Sequence, residues 1–191
     1  MPERNLEFGK FGAQGMKGHE AAARQLDALA GFIATPVTQR RGMLARLHYL
    51  TRTPHAKAAA RAAGLTISDR TLKRWADGKA TPSKKSLAQL ETVYVRVRRH
   101  NVARYLVQRL NRQGRGTRVE FHPLNQSQVA RPLQRDVSFR TLNVRHWDRT
   151  VEAWAAGDGR AMDRAWFDDI TADLGSDYGA YEYVMNIGFA A

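Results

Sequence analysis

A chain of 191 residues, 43% of them hydrophobic, is long enough for one or two domains and too apolar to be disordered throughout. Thirty-one Lys and Arg against 18 Asp and Glu give a net charge of +13 and a pI near 10.7, which points to a polyanionic partner, DNA above all. There is no cysteine for a disulfide or a thiolate metal site, no apolar run near the ~20 residues that cross a bilayer, and no secretion signal, so a cytoplasmic, nucleoid-associated protein without a membrane partner is expected.

The placement of the charge says more than its sum. Residues 1–39 balance at zero. Residues 40–118 carry 20 basic and 3 acidic side chains, a net of +17, whereas residues 140–191 are net −4. One contiguous block is therefore suited to nucleic acid, and the C-terminal part to protein.

Residues 1–16, with Gly9, Gly12 and Gly15, read as an extended arm. Gly18–Ala34 reads as a helix with Ala21, Leu26, Leu29, Phe32 and Ile33 apolar, broken at Thr35-Pro36. Thr38–Leu50 reads as a second helix. Met43, Leu44, Leu47 and Leu50 form its stripe, and Arg40, Arg41 and Arg46 occupy the other side.

Pro54–Trp75 then has the pattern of a helix-turn-helix. The Ala-rich stretch Ala56–Ala63 favours helix, and Gly64 ends it by accepting a left-handed backbone. Ala60, one turn before Gly64, lets a second helix cross closely. Ser68 is a natural N-cap, and Asp69 suits the positive end of the helix dipole. Leu72 and Trp75 share a face that would seat on a core, and Asp77-Gly78 closes the helix. Ser68, Asp69, Arg70, Lys73 and Arg74 then point outward, with the side-chain types that read base edges and hold phosphates. Lys79, Lys84, Lys85, Arg98 and Arg99 would add backbone contacts. The competing reading is an αα-hairpin of a core with merely solvated basic residues.

A long basic helix is expected over Ser83–Arg112, with Leu87, Leu90, Tyr94 and Val97, then Val102, Tyr105 and Leu106, at helical spacing. After Gln113-Gly114-Arg115-Gly116 the period changes to two. Thr117, Val119 and Phe121 alternate with Arg118, Glu120 and His122 until Pro123. A polar loop follows over 123–135, and Val137, Phe139, Leu142 and Val144 suggest a second strand. Such a two-stranded ribbon is marginal alone and should pack on a helix or on another copy. Two amphipathic helices come next: His146–Ala156, with Trp147, Val151 and Trp154, and Arg160–Leu174, with Met162, Trp166, Ile170 and Leu174 at fours. The aromatic tail DYGAYEYVMNIGFAA reads as a strand or a docking peptide. The expected fold is mainly α (α+β), in three segments: 1–37, an arm and helix; 38–112, the helix-turn-helix with its basic helix; and 113–191, an α+β part for protein contacts or priming.

LARLHYLTRTPHAKAAARAAGL, SDRTLKRWADGKATPSKKSLAQLE and LNVRHWDRTVEAWAAGDGRAMDRAWFDDITADL, in this order, resemble the telomere terminal proteins (Tpg family) of actinomycete linear chromosomes and plasmids. The resemblance covers residues from about 44 to 175. Three residues, Leu65-Thr66-Ile67, separate Gly64 from Ser68, a longer turn than that family carries. The resemblance implies a protein that binds telomeric DNA ends, with Ser68–Trp75 as the DNA-reading helix. It also implies covalent joining to the 5′ phosphate through a hydroxyl that primes end replication, together with a telomere-associated protein and a DNA polymerase as partners.

Priming asks for an exposed hydroxyl on a pliable loop, because the polymerase supplies the metals and the base. Ser127, between Gln126 and Gln128, is the first candidate, ahead of Ser138, Thr141 and Thr117. The rival reading is a non-covalent repressor or plasmid-maintenance factor, which would be a homodimer through its C-terminal part. No enzyme motif is complete. His100–Arg104 is one residue too long for the His-x-x-Arg of a tyrosine recombinase, and Tyr105 stands within a helix. His19-Glu20 lacks the second His of a zinc helix, and Asp168, Asp169 and Asp173 read as a solvated face. Neither a cofactor nor a metal is expected.

Overall fold

The computed structural model describes residues 16–123, 131–133, 140–172 and 183–190. The chain is mainly helical with a small antiparallel sheet. It divides into two compact units, Gly31–Asn101, and Met1–Ala30 with Val102–Ala191.

The first unit holds α2 (Arg40–Thr51), α3 (Pro54–Ala62), α4 (Asp69–Ala76) and the first two-thirds of α5 (Lys84–Asn111). Its core joins Met43, Leu47 and Leu50 of α2, Ala60 of α3, Leu65 of the turn, Leu72 and Trp75 of α4, and Leu90, Val93, Tyr94 and Val97 of α5. Met43, Leu47, Leu50, Leu72, Trp75, Leu90, Tyr94 and Val97 belong to the stripes predicted from helical spacing, Leu65 and Val93 are additions, and the predicted Leu44 and Leu87 are only partly buried. Tyr94 sits edge-on to Phe32 and Tyr49, at 6.0 and 5.4 Å between ring centroids, and its hydroxyl accepts a hydrogen bond from the Ile33 amide at 2.9 Å. Burial disfavours the phenolate and raises the Tyr94 pKa above its ordinary value.

Arg46 corrects the sequence reading. It does not lie on a solvent side of α2 but is 4% exposed. Its guanidinium donates to the carbonyls of Thr35 (2.8 Å), Gly42 (3.0 Å) and Ile33 (3.1 Å), pairs with Glu91 through two nitrogens, and stacks 5.1 Å from the Tyr94 ring centroid. Arginine suits this position because its planar fork can serve several acceptors at once. The segment 31–39, which has no regular structure of its own, is thereby tied to α2 and α5.

The second unit holds α1 (Gly18–Ala30), the end of α5, α6 (Asp148–Ala156), α7 (Gly159–Ala165) and the sheet. The sheet order is β1 (Met16–Lys17), β4 (Tyr183–Ala190), β2 (Thr117–Pro123), β3 (Arg140–Val144), with every pairing antiparallel. The expected ribbon of two strands is therefore larger. β4, from the aromatic tail, lies against β2, with Val119 opposite Phe189 and Phe121 opposite Ile187. The Gln25 side chain of α1 donates to the Ile187 carbonyl at 3.2 Å. α1 accordingly groups with the C-terminal residues. Its small face, Ala21, Ala22 and Leu26, is buried there.

Three of the four tryptophans, Trp147, Trp154 and Trp166, are fully buried in this unit. Trp147 Nε1 donates to the Val144 carbonyl at 3.0 Å and Trp154 Nε1 to Asp27 at 2.8 Å, so the indole polar atoms are satisfied. Two local expectations are corrected. Glu120, expected on the polar side of β2, is 7% exposed, and it is neutralised by Arg118 two residues away on the same face. The last predicted helix ends as a π turn over Trp166–Ile170, where Thr171 donates its amide to the Trp166 carbonyl at 2.9 Å.

Candidate nucleic-acid interface

α3, the turn and α4 form a helix-turn-helix whose ends are set by local chemistry. Thr53 caps α3, accepting from the Ala56 amide at 3.1 Å, and Pro54 occupies its first position. At the far end Gly64 adopts φ +100°. The Leu65 amide donates to the Ala60 carbonyl (2.9 Å) and the Gly64 amide to the Arg61 carbonyl (3.0 Å), the paired bonds of a Schellman C-cap. Ser68 caps α4, accepting from the Thr71 amide at 3.3 Å, and α4 closes on Gly78 (φ +74°) with the same pair of bonds.

The longer turn is stapled from within. Arg61 donates to the carbonyls of Leu65 and Ile67, both at 2.6 Å, and to the Asp69 carboxylate at 2.5 Å. Gln89 of α5 donates to the Gly64 carbonyl (3.2 Å) and to the Thr66 hydroxyl (2.8 Å). The longer turn thus does not leave α4 loose: both its ends are anchored, and Leu65 is buried between them. At the other end of α4, Arg40 donates to the Ala76 carbonyl at 3.3 Å, placing a cation at the negative end of the helix dipole.

Leu72 and Trp75 are buried, and Arg70, Lys73 and Arg74 are exposed. At about 100° per residue, the three basic side chains fan over ~100° of arc whose centre is opposite the Leu72–Trp75 seam. The outward side of α4 is open to solvent. Ser68, Asp69, Lys79, Lys84 and Lys85 are exposed as well. Asp69, however, is committed to Arg61 and lies 3.7 Å from Lys57. The Arg61 hydrogen bond holds its pKa below the usual carboxylate value, so it stays charged and orders the turn.

Arg98 and Arg99 are half-buried. Arg98 stacks 5.8 Å from the Tyr49 ring centroid, so a substitution there would alter packing as well as charge. Among the other sequence candidates, Thr117 is fully buried and donates its hydroxyl to the Leu110 carbonyl at 2.6 Å, which removes it as an acceptor for chemistry. Thr141 is exposed on β3. Ser127 and Ser138 lie outside the described residues. Asp168 and Asp169 both face Arg149.

The unit's electrostatics follow from a simple imbalance. Gly31–Asn101 carries 15 basic and 3 acidic side chains. Each acid is already in an ion pair: Asp69 with Arg61, Asp77 with Lys79, and Glu91 with Arg46. The unit therefore keeps a large positive excess, and Lys57, Arg70, Lys73, Arg74, Lys84 and Lys85 expose part of it on α3, α4 and the start of α5. Such a surface raises the local concentration of polyanions.

Sequence reasoning missed Arg40, Arg61 and Gln89, whose roles lie in positioning the recognition helix. For Arg61 a signal existed: an arginine eight residues before the acidic first turn of a helix, across a short turn. Comparison of the chain with protein-family models, curated proteins and solved structures gives no match.

Proposed function

We propose that the chain is a DNA-binding protein that inserts α4 into the major groove, with Arg70, Lys73 and Arg74 reading bases and phosphates and Lys79, Lys84 and Lys85 holding the backbone. One observation carries this reading: a doubly capped short helix is seated by Leu72 and Trp75 and presents three exposed cations on its opposite side. The stapled turn adds to it, because a reading helix must be held in a defined pose. Affinity is then dominated by phosphate contacts and falls steeply with salt.

The finer reading, drawn from the resemblance, is a terminal protein of linear replicons. The Ser127 hydroxyl attacks the α-phosphate of a deoxynucleoside triphosphate, a phosphodiester forms, pyrophosphate leaves, and the polymerase takes up the hydroxyl proton. Nucleoid association and the polymerase and telomere-associated partners belong to this same proposal. Its test is the intact mass of the protein isolated under denaturing conditions from cells holding its linear replicon. A covalently attached nucleotide or 5′ DNA end, lost in Ser127→Ala while duplex binding persists, is the expected result. An unmodified mass would reject priming and leave the non-covalent repressor.

A further inference from the structure

The distal part of α5 has a face that duplex reading does not use. From Val102 to Arg118 the chain carries Arg104, Arg109, Arg112, Arg115 and Arg118 and no acidic residue. Leu106 and Leu110 are buried, and Arg104, Tyr105, Gln108 and Arg112 are exposed. At about 100° per residue Arg104, Tyr105 and Gln108 fall within ~100° of arc opposite the buried pair, and Arg112 follows directly where α5 ends at Asn111. Tyr105 is 59% exposed, the large hydrophobic side chain that stands out in solvent among the described residues. Arg104 adjoins it, and Gln108 follows one turn on.

The backbone makes a second, independent point. Where α5 ends, Arg112 and Gln113 adopt φ +45° and +56°, followed by Gly114 at +86°. Left-handed backbone is strained for side chains of this kind, and glycine is the residue that takes it freely. Strain of this sort persists where the side chains are of use. Arg112, Gln113 and Arg115 are all exposed there.

We propose that Arg104, Tyr105, Gln108 and Arg112 form a second nucleic-acid site, for unpaired DNA, in which a base stacks on the Tyr105 ring and the arginines hold the flanking phosphates. A duplex presents only sugar and phosphate to a helix face outside its grooves and has no use for an aromatic plane. An unpaired base offers its π-face to any exposed ring. A protein partner would call for a cluster of apolar side chains, whereas this ring is set among charged and amide groups. The site stands independently of the α4 reading.

The test is fluorescence anisotropy of the full chain with a labelled oligothymidylate of about 16 nucleotides, a length within the range that single-strand sites cover, alongside a duplex of equal length. Tyr105→Ala should weaken oligothymidylate binding roughly tenfold, the loss of one stacked base, and leave duplex binding unchanged. Tyr105→Phe should retain wild-type affinity, because the ring and not the hydroxyl is used. Arg112→Gly should weaken the single-strand complex severalfold without lowering the melting temperature, since glycine relieves the strained backbone. Equal oligothymidylate affinity of wild type and Tyr105→Ala, or parallel loss of both DNA forms, would overturn the inference. If duplex binding is absent while oligothymidylate binding depends on Tyr105, this site stands and the α4 reading falls.

Discussion

Replacing Arg46 with alanine is expected to destabilise the Gly31–Asn101 unit by about 3 kcal/mol, the lower end for breaking a buried ion pair. The lower end applies because Glu91, one-third exposed, can be partly rehydrated. The carbonyls of Ile33, Thr35 and Gly42 would lose the guanidinium donor together, and the segment 31–39 would lose its tie to α2. That loss shifts the folded-to-unfolded ratio by about two orders of magnitude, and the stability of a small domain is only ~5–15 kcal/mol. Arg46→Lys should recover less than half of it, because an ammonium cannot reach three carbonyls and a carboxylate from one position. Hydrogen exchange at the amides of α2 and α4 reports this unit alone. Wild-type protection in Arg46→Ala would refute the role assigned to the guanidinium.

Gly42→Ala should also be strongly destabilising, against the ordinary rule for helices. In an open helix that change is favourable by ~0.5–1 kcal/mol. Here an added Cβ would lie 2.1 Å from the Pro36 carbonyl oxygen and 2.6 Å from that of Thr35, both backbone atoms that cannot swing aside. Overpacking of this kind costs about 1–3 kcal/mol, and the upper end is expected because Thr35 is also an acceptor for Arg46. For the same reason the effects of Gly42→Ala and Arg46→Ala should fall short of additivity when combined. Gly159→Ala is the control: its added Cβ meets nothing within 4 Å, and its melting temperature should match or exceed the wild type. A Gly42→Ala protein as stable as wild type would mean that the 35–36 segment does not pack against α2 as described.

These two positions show where sequence reasoning reaches and where it stops. The C-cap of α3 and both caps of α4 were legible because their chemistry is local: Gly64, Ser68 and Gly78 act on amides and carbonyls within a few residues. The core stripes of α2, α4 and α5 were legible because apolar side chains at helical spacing have one economical placement. Arg46 was misread because its partners lie outside its own helix, at Ile33, Thr35 and Glu91, so that composition alone assigned a cation to solvent. The same distance in sequence hid the sheet. β4 pairs with β2 some 65 residues upstream, and α1 meets β4 across more than 160, links that no periodicity encodes. Of the interface, the basic side of α4 was visible beforehand, but the Arg61 and Gln89 staples were not.

Selection of duplexes from a random-sequence pool by the full chain measures most directly whether α4 is a reading helix. Wild type should enrich one short motif. Arg70→Ala and Arg74→Ala should each relax preference at particular positions of that motif, by about 1–3 kcal/mol per lost base contact. Lys84→Ala should lower affinity for all sequences alike and leave the motif intact. Enrichment of no motif, or an unchanged motif in all three variants, would contradict that role for α4.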